Sequence, residues 1–300
     1  MTSWFDYLAD SILDGGVITE EQAVAILATP DADLLALVAA GSRLRRRHFG
    51  IRGGASRVCL VASGRGPGNR DVERVNDIVT RLKDDHHDLE VCACLGILKD
   101  GQAESLEEAG VDAYNHNINT AESFHDTIVK SHTYADRTNT VAKAKTAGLS
   151  PCSGLIVGMG ESDEQVVEAL FALRELDSDS IPINFLVPFD GTPMEGQWNL
   201  TPAQCLRIVV TARFVCPGKE IRLPGGREIH LRSLQAQALH VANSIFLGDY
   251  LTAEGQAAED DIALIRDNGF TIIGQEKGPN GTHTPTIRAR GAGTEQGANA

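Results

Sequence analysis

The chain has 300 residues and a formal net charge of −14, with 27 Lys and Arg against 41 Asp and Glu. That acidity argues against a nucleic-acid or anionic-membrane partner. A composition of 42% hydrophobic and 23% charged residues excludes disorder of the whole chain, and the length suits two domains or one large α/β barrel.

Met1 to Asp10 contains no Lys or Arg, so the basic n-region of a signal peptide is missing and a cytoplasmic location is expected. No stretch approaches the roughly 18 apolar residues of a membrane span. The first fifty residues read as helices: Ser3 to Leu13, a segment opened by Thr19-Glu20-Glu21 with Ala23, Val24 and Leu27, and Asp31 to Arg47.

From residue 56 the pattern changes to short β-branched runs, each followed by a turn and an amphipathic stretch, the alternation of a parallel sheet. Strands are predicted near Val58–Ala62, Leu89–Leu95, Val111–Asn115, Pro151–Val157, Ile181–Val187, Glu220–Leu223 and Ala242–Leu247. Between them, Asp71 and Ser162 read as helix N-caps and Gly110 and Gly148 as glycines just past helix ends. Thr201-Pro202 opens a later helix, and Ala257 to Asn268 followed by Gly269 forms the last. Three regions follow: a helical segment over 1–50, a barrel over 51–274 and a mobile tail over 275–300. Seven parallel strands suit an open doubly wound sheet or a barrel that closes with eight.

Chemistry in a barrel gathers at the C-terminal ends of the strands. In strand order the chain offers Cys59; Cys92 and Cys94; Asn115, His116 and Asn117; Cys152; Asn184; and Arg222. A single strand cysteine is ordinarily a small core residue. Cysteines in several parallel strands around one axis can instead share a metal site, and thiolates suit iron–sulfur clusters, zinc or copper. Arg222, inside a strand, either pairs with a carboxylate across the lumen or contacts a cofactor. Cys205 and Cys216, within the amphipathic stretch ending at Cys216, read as core.

The turn Gly64-Arg65-Gly66-Pro67-Gly68-Asn69 suggests a dinucleotide fingerprint, but its sixth position is Asn. Gly154 to Glu161 joins a strand to a helix and reads equally as a plain tight turn. The polar run from Tyr114 to Thr120 is either an ordinary surface loop or a set of paired donors and acceptors for a ribose, carboxylate or ureido group.

Together these residues resemble the biotin synthase family of radical S-adenosylmethionine enzymes. The resemblance lies in Arg45-Arg46-Arg47-His48-Phe49-Gly50, Arg57-Val58-Cys59-Leu60-Val61-Ala62-Ser63-Gly64, Tyr114-Asn115-His116-Asn117, Cys152-Ser153-Gly154, Ile181-Pro182-Ile183-Asn184, Arg222-Leu223 and Ala242-Asn243-Ser244-Ile245-Phe246, and it spans roughly residues 1–274. It implies a TIM-type (β/α)8 barrel that inserts sulfur into dethiobiotin to form biotin. It further implies a sulfur-donating 2Fe-2S cluster on Cys59, Cys92, Cys152 and Arg222. S-adenosylmethionine and substrate would lie beside Asn115, Asn117, Asn119, Gly154, Ile156, Gly158, Glu161 and Asn184. At Asn119 the family often has Asp. A flavodoxin or ferredoxin as electron donor and a homodimer are implied as well.

The family also carries a 4Fe-4S cluster on C-x3-C-x2-C. No such motif occurs among the six cysteines of this chain. Gly50 runs directly into Ile51-Arg52-Gly53-Gly54-Ala55-Ser56, where the family has a first strand, the cluster loop and a helix. The expectation is therefore a barrel lacking its first βα unit, roughly 30 or more residues, with a gap between the strands at Val58 and Ala242.

Overall fold

The computed structural model describes residues 3–50, 52–53, 57–248 and 254–272. Three helices come first: α1 (Trp4–Leu13), α2 (Glu20–Leu27) and α3 (Leu34–Phe49). Ser3 and Thr19 cap the first two through reciprocal side-chain bonds with Asp6 and Gln22, which satisfies backbone N–H groups that a helix start leaves unpaired. The expected third helix starts three residues late, because Asp31–Asp33 forms a 3-10 turn after Pro30.

The alternating part contains β1 (Arg52–Gly53), β2 (Arg57–Val61), α4 (Asn69–Asp85), β3 (Glu90–Cys94), α5 (Gln102–Glu108), β4 (Ala113–Asn115), α6 (Glu122–Ile128) and α7 (Tyr134–Thr146). It continues with β5 (Ser150–Cys152), β6 (Leu155–Val157), α8 (Asp163–Glu175), β7 (Ser180–Phe185), α9 (Pro202–Val215) and β8 (Glu220–Leu223). The helices α10 (Arg227–Leu231) and α11 (Gln235–Leu239), then β9 (Ser244–Ile245), α12 (Ala258–Asp267) and β10 (Thr271–Ile272), complete it.

Eight strands form one parallel sheet in the order β2-β3-β4-β5-β7-β8-β9, with β6 also on β7. The sheet curls into a partial barrel: Arg57 on β2 comes within 3.9 Å of Glu220 on β8, five steps away in that order. Among the described residues β2 and β9 share no ladder, so the gap falls where the sequence placed it.

Several sequence expectations are corrected. The run Pro151–Val157 is two strands rather than one, broken at Ser153-Gly154, where the backbone passes so close to β7 that a Cβ on Gly154 would sit 1.9 Å from the Pro182 carbonyl oxygen. Asp71 is the third residue of α4; its carboxylate accepts from the N–H of Gly68, the actual N-cap, at 2.9 Å. The strand expected over Ala242–Leu247 shrinks to β9, because the Asn243 side chain is committed to Arg213 and to the Ile221 N–H. The β1–β10 pair was not anticipated. The expected tail over 275–300 lies outside the described residues.

Gly110 and Gly148 do follow α5 and α7 with φ of 96° and 94°, and Ser162 and Thr201 cap α8 and α9. No single described helix is long and apolar enough to cross a membrane. Two apolar cores support the sheet. The larger joins α1–α3, α8 and α9 to β6–β9, and the smaller lies beneath α4, α5 and α7 against β3 and β4.

Candidate functional site

Successive side chains of a strand point to opposite faces. On β2, Val58 and Leu60 pack against the smaller core, so Arg57 and Cys59 face the lumen. The same alternation directs Ile221 to the outer core and Arg222 into the lumen, and Val91 and Ala93 outward while Cys92 and Cys94 turn inward. Cys59 and Cys92 are register partners on neighbouring strands, as are Asn115 and Cys152, Cys152 and Ser180, and Arg222 and Ser244.

The Cys92 thiol interacts with those of both Cys152 and Cys59; these hydrogen bonds, then burial, hold its pKa well above the ordinary thiol value. The same bond from Cys92, followed by the charge of Arg222 and the Asn115 amide, brings Cys152 down to about 6 against the penalty of burial. Cys59 is lowered by its bond to Cys92 and by Arg222. Four strands thus bring Cys59, Cys92, Cys152 and Arg222 together, and the arginine acts electrostatically on two of the thiols.

Arg222 is 3% exposed. Its Nε donates to Ser244 Oγ at 3.2 Å and stands 3.7 Å from Glu220 Oε1, while Nη1 has no hydrogen-bond partner. The carboxylate that Arg222 meets is on its own strand rather than across the lumen, and one buried guanidinium nitrogen is left without a partner. Three thiols with an unpartnered guanidinium nitrogen are a donor set that fits an iron–sulfur cluster. No trio of His, Cys, Asp or Glu among the described residues is arranged to hold a single metal ion.

Sequence reasoning undervalued the fourth lumen thiol. Cys94 Sγ donates to Asn115 Oδ1 at 3.3 Å, and Asn115 Nδ2 donates to Cys152 Sγ at 3.1 Å; burial pushes Cys94 up to about 11. It also missed Arg57, which a period-two count back from Cys59 would have found, and Ser180 and Ser244, which only the strand register with Cys152 and Arg222 reveals. Cys205 and Cys216 are buried with the outer core, and burial pushes both up to about 12.

The remaining expected ligand positions divide. His116 is buried with Nε2 unpartnered, and Asn117 has a buried Oδ1 without a partner. Asn119, at φ 71°, bonds through its backbone to Gly154 and Ile156. Asn184 spends both ends of its amide on the backbone, at Leu155 O (3.0 Å) and Gly225 N (3.3 Å). The Glu161 carboxylate closes its own turn by accepting from Gly158 N and Met159 N at 2.6 and 2.8 Å. In the Gly64 to Asn69 turn, a Cβ on Gly66 would sit 2.3 Å from the Ile97 carbonyl oxygen, so close packing of two turns accounts for that glycine.

Two family models match the chain, the Radical SAM superfamily over residues 44–173 and the Biotin and Thiamin Synthesis associated domain over residues 182–271. Among solved structures, methylornithine synthase superposes with a TM-score of 0.75 at 16% identity, covering 88% of this chain and 97% of its own, which shows the fold. The biotin synthase of Saccharopolyspora erythraea is 54% identical over 355 aligned positions, covering all of both chains. That alignment is longer than the 300-residue chain, so the relative carries a segment without counterpart here. The biotin synthase of Renibacterium salmoninarum is 62% identical over 252 residues, 84% of this chain and 74% of its own. On this similarity over its full length, the chain belongs to the biotin synthase family.

Proposed function

We propose that the protein acts in biotin synthesis, inserting sulfur into dethiobiotin, with Cys59, Cys92, Cys152 and Arg222 holding a 2Fe-2S cluster. The observation that carries this reading is the convergence of those four side chains, from four parallel strands, on one lumen. In such a site the cluster, when bound, supplies the sulfur atom, and bound S-adenosylmethionine supplies the hydrogen-abstracting radical. The chain's own contribution is to hold and orient. Asn115 fixes Cys152 through its amide, and the open Asn117 Oδ1 and His116 Nε2 offer polar contacts to a ribose or ureido group. The strand-to-helix turn Gly154, Ile156, Gly158 and Glu161, with Asn119 and Asn184 behind it, forms the wall against which S-adenosylmethionine lies. A flavodoxin or ferredoxin as electron donor, a homodimer and a cytoplasmic location complete the proposal.

A second reading is favoured by the absence of C-x3-C-x2-C from the sequence and by the aligned positions of the relative that have no counterpart in this chain. In it the chain keeps the 2Fe-2S site and ligand contacts but, lacking 4Fe-4S ligands, does not cleave S-adenosylmethionine. Anaerobic reconstitution with iron and sulfide, followed by addition of reductant, S-adenosylmethionine and dethiobiotin, separates the two. Charge-transfer absorption with 5′-deoxyadenosine and biotin supports the first reading, and absorption without either product supports the second. No 2Fe-2S absorption at all refutes both.

A further inference from the structure

We propose that Arg57 is a positioning residue for the sulfur centre, its buried guanidinium donating N–H groups to sulfur on the Cys59–Cys92 side of the lumen. This rests on the reading that those cysteines hold a 2Fe-2S cluster. Arg57 opens β2 two residues before Cys59, so the two share the lumen face. Its side chain is only 9% exposed. Glu90, its register partner on β3, binds Nη2 and fixes the plane of the guanidinium. Glu220, across the open mouth on β8, stands 3.9 Å from Nη1, too far for a hydrogen bond.

Nε and Nη1 are buried and have no acceptor among the described residues. A buried guanidinium with two unmet donors is costly, and native proteins rarely leave such groups unsatisfied. The sulfur atoms nearest along the sheet are Cys59, on the same strand and face, and its register partner Cys92. The charge of Arg57 already acts on Cys59, and that of Cys92 on Arg57. Hydrogen bonds and positive charge directed at sulfur raise the reduction potential of an iron–sulfur centre. Arg222 Nη1 carries the same unmet donor, and both guanidinium groups stand beside Glu220, 3.9 Å away for Arg57 and 3.7 Å for Arg222.

The competing role for Arg57 is purely structural, a brace from β2 to Glu90 and Glu220. The test uses the full chain, reconstituted anaerobically with iron and sulfide, as wild type, Arg57→Met and Arg57→Lys. Midpoint potentials are read by dye-mediated titration and Fe–S stretching frequencies by resonance Raman, with melting of the cluster-free proteins as the folding control. Arg57→Met is expected to lower the reduced-to-oxidised ratio at the wild-type midpoint about tenfold, equivalent to about 59 mV for a one-electron couple. Arg57→Lys, which keeps charge but cannot hold Glu90 and reach sulfur with a planar fork, is expected to show about a threefold loss. If Arg57→Met does not fold, the lysine variant decides. Potentials and Raman frequencies unchanged from wild type overturn the inference alone. A wild-type chain that takes up no cluster overturns the underlying reading as well.

Discussion

Arg227 and Asp261 form the most deeply buried ion pair among the described residues, 1% and 0% exposed at the side chain with a shortest N–O distance of 2.9 Å, and they tie α12 to α10. Gln256 Nε2 adds a bond to Asp261 Oδ1 at 3.0 Å, and Gln235 Oε1 accepts from Arg227 Nη1. Burial is the largest influence on the Asp261 carboxyl and raises its pKa despite the adjacent guanidinium. A buried pair of this kind adds little net stability, because the cost of taking both ions out of water offsets their attraction. Removing one partner is different, because it strands a buried charge at a cost of about 3–5 kcal/mol. Asp261→Leu should fall at the lower end, since Glu228 remains 3.2 Å from Arg227. A loss of about 3 kcal/mol corresponds to roughly 6–12 °C in Tm for a large domain. The double variant Arg227→Met/Asp261→Leu should recover most of that loss. Urea unfolding of the two single variants, the double variant and wild type gives the coupling energy directly. A double variant at least as unstable as the sum of the singles, or a single loss below about 1 kcal/mol, would refute the reasoning.

Burial holds His116 at about 3, far below its ordinary 6.5, so the unfolded chain binds its proton first. Its contribution is complete above pH 6.5 and falls by up to about 1.4 kcal/mol per unit as pH drops toward 3; urea midpoints at pH 7 and pH 5 should differ less for His116→Gln than for wild type, and equal differences would count against this. Gly154→Ala drives a methyl group into the Pro182 carbonyl at 1.9 Å, and a loss of about 3 kcal/mol is expected, checked by the same unfolding assay. For the sulfur site, Cys59→Ser, Cys92→Ser and Cys152→Ser should each lose most of the bound iron after reconstitution, whereas Cys205→Ala should retain it; iron analysis that fails to separate the two groups argues against the ligand assignment.

The lumen set was legible because strands impose a period of two. Cys59, Cys92 and Arg222 each sit between apolar neighbours, and burying those neighbours leaves only one direction for the polar residue; Cys152, followed by Ser153, is placed by its register with Asn115 instead. Caps and left-handed glycines were legible for equally local reasons, as Ser162, Thr201, Gly110 and Gly148 show. The break at Ser153-Gly154 was not, because it depends on how closely β7 approaches, a contact 28 residues away that no local pattern encodes. The resemblance places Glu161 and Asn184 beside a ligand, but it does not say which of their polar atoms the fold itself uses. Whether an amide or carboxylate is available depends on nearby backbone N–H and C=O groups, and here the turn at Gly158 and the carbonyl of Leu155 claim them first.

The two apolar cores give the molecule an uneven mechanical footing. The larger clamps the sheet from β6 to β9 between N-terminal and later helices, whereas β2, at the open edge, rests on the smaller core alone. Arg222 stands on the firm half, Cys59 and Cys92 on the lighter one, and Cys152 near the seam. Opening of the lighter half needs less free energy than unfolding of the whole, so the four groups part company while most of the helices are still in place. A cluster held across that seam would act as a rivet, lending the weaker half a stability its own side chains do not provide.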